Sequence, residues 1–351
     1  MNTDSSKTER PRSTHPSPAP FNAGKGQGKG SEVDGYTSSG PIPTPIRLGL
    51  LGVLVLGATL VLLAWHGSDR GPEDPESPFP VADATEALMD TRLPMEVNDR
   101  VEQWVRRFLG SHRESFEEYL VREGLYGGLI RDRLRQRGMP EELLYLAMIE
   151  SGFSPTATSP MAASGVWQFM GPTARAYGLT VDGWVDERRD PVRATDAALD
   201  YLEELHATFD SWYLAAAAYN AGPGRVQQAL RRSGLSEGGD ERLYWEVIEH
   251  LPRETRQYVP KLLAAALLAE QAEHFGFDVE RSLPYLFDQV LVPAGTSLAR
   301  VASILDMEPS LMRELNPHLI RGATPPDRSH LVRVPMGESQ KVVMALSADR
   351  S

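Results

Sequence analysis

The chain changes texture at Asn98: from there on apolar residues recur at three- and four-residue intervals, and before it they do not. Val101, Val105 and Phe108 mark one face of a helix that Asn98 can cap and Gly110 can stop. Phe116, Leu120, Leu129, Ile130 and Leu134 carry helical spacing up to Pro140. Pro140, suited to a first turn, opens a helix running to Ser151, on which Leu143, Leu146, Ala147 and Glu150 share a stripe. Asp190-Pro191 opens another, with Thr195, Ala198, Leu202 and Leu205 on one face. Ser211 to Tyr219 is apolar all round, which predicts a buried core helix that stops at Asn220-Ala-Gly-Pro-Gly224. Arg256 to His274 is a further long helix, broken by Gly276. No convincing two-residue alternation appears before residue 285, so residues 93–280 predict a mainly α domain.

A second pattern follows over residues 285–338. Asp288 to Val292 reads as a strand, Ser297 to Leu305 and Ser310 to Leu315 as short helices, and Leu331 to Val334 as a closing strand. The order is βααβ, with a proline-rich return loop at 318–330 and a C-terminal tail at 339–351.

Ahead of the helical region, residues 1–45 are rich in Ser, Thr, Pro and Gly and predict a disordered tail. Leu48 to Trp65 is an uncharged apolar run long enough to span a bilayer, so residues 46–66 predict a transmembrane helix. Lys25, Lys29 and Arg47 precede it, and Asp69, Glu73, Asp74 and Glu76 follow it. The positive-inside rule then leaves the tail cytoplasmic and the rest in the periplasm, anchored to the inner membrane. A cleaved signal peptide is the rival, disfavoured by some 45 preceding residues and by the lack of a small-x-small site. Residues 67–92, acidic and proline-rich, predict a linker.

Composition narrows the chemistry. A net charge of −12 argues against nucleic acid as a partner. The absence of cysteine excludes disulfides, thiolate metal sites, a cysteine nucleophile and a lipid-modified cysteine. His206, His250 and His274 are scattered, and no glycine-rich phosphate loop precedes a helix, so no metal or nucleotide cofactor is expected.

Glu150 is the candidate for catalysis. It lies on an apolar stripe in the last turn of its helix, where burial and the partly negative helix end both favour the protonated acid. A carboxyl group kept protonated near neutral pH is what general-acid cleavage of a glycosidic bond needs. Asp186, Glu187 and Asp190 are the nearest alternatives along the chain, but Asp190 reads as a helix cap and the others as members of an ion-pair cluster with Arg188 and Arg189.

Five stretches then fall in order: Glu150-Ser151, Ala163 to Met170, Gly183 to Pro191, Ala218 to Gly222 and Leu251 to Lys261. Together they resemble the soluble-lytic-transglycosylase family of lysozyme-like enzymes that cleave bacterial peptidoglycan, and the resemblance is strong over roughly residues 95–275. Residues 285–338 more weakly resemble the LysM glycan-binding module, with a small bracing domain as the alternative. The fold implied is a mainly α, lysozyme-like catalytic domain, with a small βααβ LysM-like domain, behind an N-terminal transmembrane helix.

The resemblance implies a reaction with one acid and no cofactor, on peptidoglycan glycan strands. Glu150 would protonate the oxygen between N-acetylmuramic acid and N-acetylglucosamine, then take a proton from the 6-hydroxyl as a 1,6-anhydro ring closes. Ser151 would bond an acetamido group, or else its own backbone. Gln168 offers a donor and an acceptor for sugar, and Gly165 would let backbone approach a ligand. Trp167, Phe169 and Met170 fit core packing better than a sugar subsite. Tyr219 could orient the acid or the substrate, Asn220 could touch substrate or cap a helix, and Tyr258 matches a tyrosine of the family's fourth motif. A goose-type lysozyme-like hydrolase is the alternative, and a silent wall-binding protein a more distant one.

Overall fold

A computed structural model describes residues 92–235 and 239–348, all within one compact unit. The 1–45 tail, the 46–66 span and all but the last residue of the 67–92 linker lie outside the described residues. Among those described, no helix is long and apolar enough to cross a membrane.

Helix α1 (Asp99–Leu109) starts where Asn98 accepts hydrogen bonds from the Arg100 and Val101 amides, and its acidic first turn and basic last turn complement the helix dipole. Helix α2 (Arg113–Gln136) buries Phe116, Leu120, Ile130 and Leu134 together with Glu123, whose charge is met by Arg131 and Arg281. Pro140 does not enter the next helix. Its ψ of 128° is extended, and a 3-10 turn (Glu141–Leu143) intervenes before α3 (Leu144–Ser151). Helix α3 is buried from Leu144 to Ile149. It ends on Gly152 at φ 58°, where a Cβ would lie 2.3 Å from the Tyr119 ring, so only glycine fits.

After the short helix α4 (Gly171–Ala176), α5 (Pro191–Phe209) is capped by Asp190 and buries the predicted face of Thr195, Ala198, Leu202 and Leu205. Helix α6 (Trp212–Ala221) is the buried core helix; Ser211 caps it, and the Glu241 carboxylate accepts from the Trp212 and Tyr213 amides. Helices α7 (Pro223–Arg232) and α8 (Arg242–Val247) lead to α9 (Thr255–Glu270). Pro260 inside α9 cannot donate to the Arg256 carbonyl, and the Tyr244 hydroxyl donates to that oxygen instead, at 3.2 Å. Helix α9 packs on α1, α3 and α6, and α6 packs on α5. One apolar core results, mainly helical as predicted.

The second pattern also folds as expected. Strand β1 (Asp288–Val292), α10 (Leu298–Leu305), α11 (Pro309–Leu315) and β2 (His330–Val334) appear in order, with β1 and β2 antiparallel and Val290 opposite Val332. Val290, Val292, Val332 and Val334 face inward. The expected tail at 339–351 is corrected: α12 (Ser339–Ala348) buries Val342 and Leu346 in this second core, and two apolar residues four apart suffice to dock it.

The two cores meet. Val185, from the first region, is buried in the second, and its backbone bridges to Leu319. Arg333 breaks the inside–outside alternation of β2 by being buried, because its guanidinium grips both carboxylate oxygens of Asp190 at 2.6 and 2.7 Å. The Tyr285 hydroxyl donates to the Leu315 carbonyl beside this pair.

Candidate active site

Glu150 is the penultimate residue of α3, placed where α9 packs against that helix. Its side chain is half-buried, and one oxygen accepts a hydrogen bond from the Tyr258 hydroxyl at 2.5 Å. Burial pushes the carboxyl up to about 7, and Glu254 adds to the rise; the Tyr258 hydrogen bond and the Lys261 ammonium pull against it. The C-terminal end of α3 acts in the same sense as burial. The result is a carboxyl group that can both give and take a proton near neutral pH.

An open cleft of about 610 Å³ exposes this group. Trp104 of α1, Asn220 of α6 and Glu254, Tyr258 and Lys261 on or beside α9 line it with Glu150. Asp186, Glu187 and Asp190 do not line it. Asp186 pairs with Arg188 at 2.8 Å, Glu187 accepts from the Thr180 amide at 2.6 Å, and Asp190 is held by Arg333. Among the described residues no cluster of His, Asp and Glu could hold a metal ion.

The other candidate residues divide into two groups. Tyr258 and Asn220 reach the cleft with Glu150. Asn220 is not a left-handed cap: it lies inside α6, which ends at Gly222 with φ 87°, and its side-chain oxygen accepts from the Thr255 hydroxyl at 2.8 Å. Tyr219, Ser151 and Gln168 instead hold backbone. The Tyr219 hydroxyl donates to the Trp167 carbonyl at 2.8 Å, and burial, with Glu150 nearby, holds its phenol well above the usual tyrosine range. The Ser151 hydroxyl lies 2.8 Å from the Val166 carbonyl and 3.3 Å from that of Ala147, and accepts from the Ser154 amide, so its one proton is committed to the backbone. Gln168, at φ 49°, spends its amide protons on the carbonyls of Gly165 and Ala157 at 2.8 and 3.2 Å.

Gly165 is glycine for an internal reason. At φ 85°, a Cβ there would sit 1.7 Å from the Arg188 carbonyl oxygen, so the close approach is to the protein's own chain and not to a ligand. Trp167 and Phe169 are core residues, Trp167 donating to the Thr195 hydroxyl at 2.9 Å. The 163–170 loop therefore buttresses the end of α3 from one side while α9 presents Tyr258 from the other.

Sequence reading missed Lys261, Glu254 and Trp104. Glu254, Tyr258 and Lys261 are spaced by four and three, a helical face that could have been read within the Leu251 to Lys261 stretch. Trp104 had no such signal, since an aromatic on an amphipathic helix ordinarily packs inward.

Two regions of the chain match known families. Residues 129–239 match the transglycosylase SLT domain. The match contains Glu150, Gln168, Tyr219 and Asn220 and stops short of α9. Residues 286–351 match the LysM-like domain of lytic transglycosylase MltD. Membrane-bound lytic murein transglycosylase D of Escherichia coli strain K12 is 32% identical over 241 residues, which is 67% of this chain and 51% of that protein. The soluble lytic murein transglycosylase of the same strain is 30% identical over 146 residues, 40% of this chain and 22% of that one. Among solved structures, the 70 kDa soluble lytic transglycosylase of Escherichia coli aligns at a TM-score of 0.36 and 28% identity, over 42% of this chain and 24% of that chain. The chain thus spans about half the length of the first relative.

Proposed function

We propose that the protein is a peptidoglycan lytic transglycosylase, cleaving the β-1,4 bond between N-acetylmuramic acid and N-acetylglucosamine and leaving a 1,6-anhydro-muramoyl end. The observation that carries this reading is Glu150: a carboxyl on a cleft wall, raised to about 7 and aimed by the Tyr258 hydroxyl. Protonated Glu150 gives its proton to the glycosidic oxygen as the C1–O bond breaks. The acetamido carbonyl of the muramoyl residue meets the charge at C1. Ionised Glu150 then removes the 6-hydroxyl proton as O6 bonds to C1 and displaces that carbonyl. Glu150 ends protonated again, and no water is consumed.

The neighbours take roles consistent with their contacts. Tyr258 orients the acid, Asn220 faces substrate, and the side-chain oxygen of Gln168 is the part of that residue left for a sugar. Ser151 and Tyr219 act through the backbone of the 163–170 loop. Trp104 offers the cleft an apolar face against which a sugar ring can lie. Glycan strands are the partner. The Leu48 to Trp65 run anchors the enzyme in the inner membrane with its catalytic domain, residues 93–280, in the periplasm; the name of the first relative supports this. Full-length protein should then stay with membranes through a salt wash.

Glu254 favours a second reading. It is an exposed carboxylate on the same cleft and could serve as the base that activates water, which would make the protein a lysozyme-like hydrolase. Mass spectrometry of muropeptides released from sacculi decides between them. Anhydro ends, lighter by one water, support transglycosylation; reducing ends overturn it.

A further inference from the structure

Helix α3 ends with a carbonyl that its own helix cannot satisfy. Past Glu150 the chain turns at Gly152, whose amide bonds Met148, while the Phe153 amide reaches back to Ala147 and that of Ser154 to Ser151. None of these serves the Ile149 carbonyl, the peptide group directly before the acid. The Lys261 ammonium does: its Nζ donates to the Ile149 oxygen at 2.9 Å. A lysine at this place meets the partly negative helix end with a full positive charge.

Lys261 stands three residues after Tyr258 on α9, so one helix face brings a hydroxyl and an ammonium to the same corner of the cleft. The ammonium is half-buried there, and Nζ lies 5.6 Å from the centroid of the Trp104 ring, an aromatic face that further favours a cation. Burial lowers its pKa, while Glu150 and Glu254 raise it in return. The groups facing Glu150 are therefore Tyr258, Lys261 and Glu254 from the α9 side and Tyr219 from α6, with Arg253 on the cleft rim.

We propose that Lys261 is the positioning residue of this site, a fixed cation that holds the end of α3 and balances the two protonation states of Glu150. The inference rests on the reading of Glu150 as an acid that later acts as a base. Such a group must not be held in one state. Burial in the cleft wall, the end of α3 and Glu254 all favour the neutral acid. Lys261 is the charged group that favours the carboxylate, and a hydrogen bond to the backbone keeps it from swinging away. With the charge gone, Glu150 should remain a competent donor but become a poor acceptor, so the second half of the reaction slows.

Lys261→Gln is the discriminating variant, because a glutamine can still donate to the Ile149 carbonyl but carries no charge. Titration of the Glu150 carboxyl by 13C NMR, assigned by difference from Glu150→Gln, should show its midpoint rising by about one pH unit. The alkaline limb of the sacculus-cleavage profile should rise with it, since loss of the protonated acid sets that limb, and turnover at pH 7 should fall roughly tenfold with little change in apparent substrate affinity. Lys261→Arg keeps the charge and should leave both midpoints in place. If Lys261→Gln melts early, Lys261→Met, which loses the bond to Ile149 as well as the charge, is titrated beside the arginine variant, which keeps the charge. A Glu150 midpoint in folded Lys261→Gln that coincides with wild type overturns the inference. A shifted midpoint in Lys261→Gln, found where the wild-type protein itself leaves sacculi intact, upholds the charge coupling and overturns the proposed reaction.

Discussion

Glu150 and Asp190 are two carboxylates at helix ends, both turned inward, and the protein makes opposite things of them. Asp190 precedes the first residue of α5, where the free amides of Val192 and Arg193 donate to it. Burial alone would raise its pKa, but Arg333 outweighs burial, assisted by those amides, and the carboxyl lies below the usual range. Burial pushes His318, beside it, down to about 4, so that imidazole is neutral at working pH. Glu150 stands at the opposite helix pole with one phenolic donor and no bidentate partner, and it rises to about 7. Helix polarity and partner count, more than burial, separate a carboxyl held as an anion from one that keeps its proton near neutral pH.

The contrast extends to the regions that hold them. Asp190 belongs to the helical region and Arg333 to β2, so the pair ties the C-terminal module to the segment whose backbone, at Arg188, packs on Gly165. That is a docked domain and not a freely swinging one. If charge holds this junction, Asp190→Asn should cost about 3–5 kcal/mol in urea unfolding, because asparagine keeps the cap and leaves a buried guanidinium unpaired. The double variant Asp190→Asn/Arg333→Met should recover much of that loss. A loss below 1 kcal/mol, or no recovery in the double variant, would mean that apolar contacts around Val185 carry the junction and the charges do not.

The next largest effect is on chemistry. Glu150→Gln should lower sacculus cleavage by at least roughly a hundredfold, the scale of losing a general acid, while a circular dichroism spectrum matches wild type. Activity kept within a few-fold would move the acid to Glu254, the other carboxylate on the cleft.

Sequence conveyed each of these carboxylates to a different depth. Asp190 before a proline and an apolar stripe is a cap signal, and so is Asn98; both are local and were legible. The four elements from Asp288 to Val334 were legible for the same reason, since alternation and helical spacing act within ten residues. Glu150 could be placed on an apolar stripe, but its partners could not be read that way. Tyr258 lies 108 residues away, and only the resemblance pointed to it. Gly165 was read as open to a ligand, and the burial of Arg333 had no local signal, for one cause: each answers to a group distant in sequence, the Arg188 carbonyl in the first case and Asp190 in the second. Gln168 and Ser151 have the right chemistry for sugar, yet the backbone claimed their protons first.

Linkage to pH gives a smaller effect with opposite signs at the two sites. Asp190 has a folded pKa below its ordinary value of 3.8, so its stabilisation is complete above that value and disappears as pH falls through the folded one. Glu150 has a folded pKa above its ordinary 4.5, so the folded state binds its proton more tightly. Its presence therefore stabilises the protein relative to higher pH only below about 4.5, and that advantage is lost as pH climbs to about 7. Glu150→Gln cannot lose a proton, so its melting temperature should gain on wild type steadily between those values and then stay level. A difference in melting that does not change across this window would mean that Glu150 titrates normally.

The smallest effect expected is that of the Tyr258 hydroxyl. Its hydrogen bond favours the Glu150 carboxylate, so Tyr258→Phe removes one of the two influences that hold the acid down. The Glu150 midpoint should rise, and the alkaline limb of the activity profile should move up with it. A single hydrogen bond to a charged group contributes about 1.5–3 kcal/mol, but a cleft open to water can replace part of it, so turnover at pH 7 should fall by about tenfold or less. The ring remains to pack in α9, so the fold should hold. The informative comparison is with Glu150→Gln: Tyr258→Phe leaves an acid that is mistuned, whereas the glutamine leaves none. If Tyr258 acts only by placing the carboxyl, the pH limb is unchanged and the loss is the same at every pH. A limb shifted upward, with the defect shrinking as pH rises, shows that Tyr258 tunes the acid, and Asp190, with its amides and arginine, is the same device taken to completion.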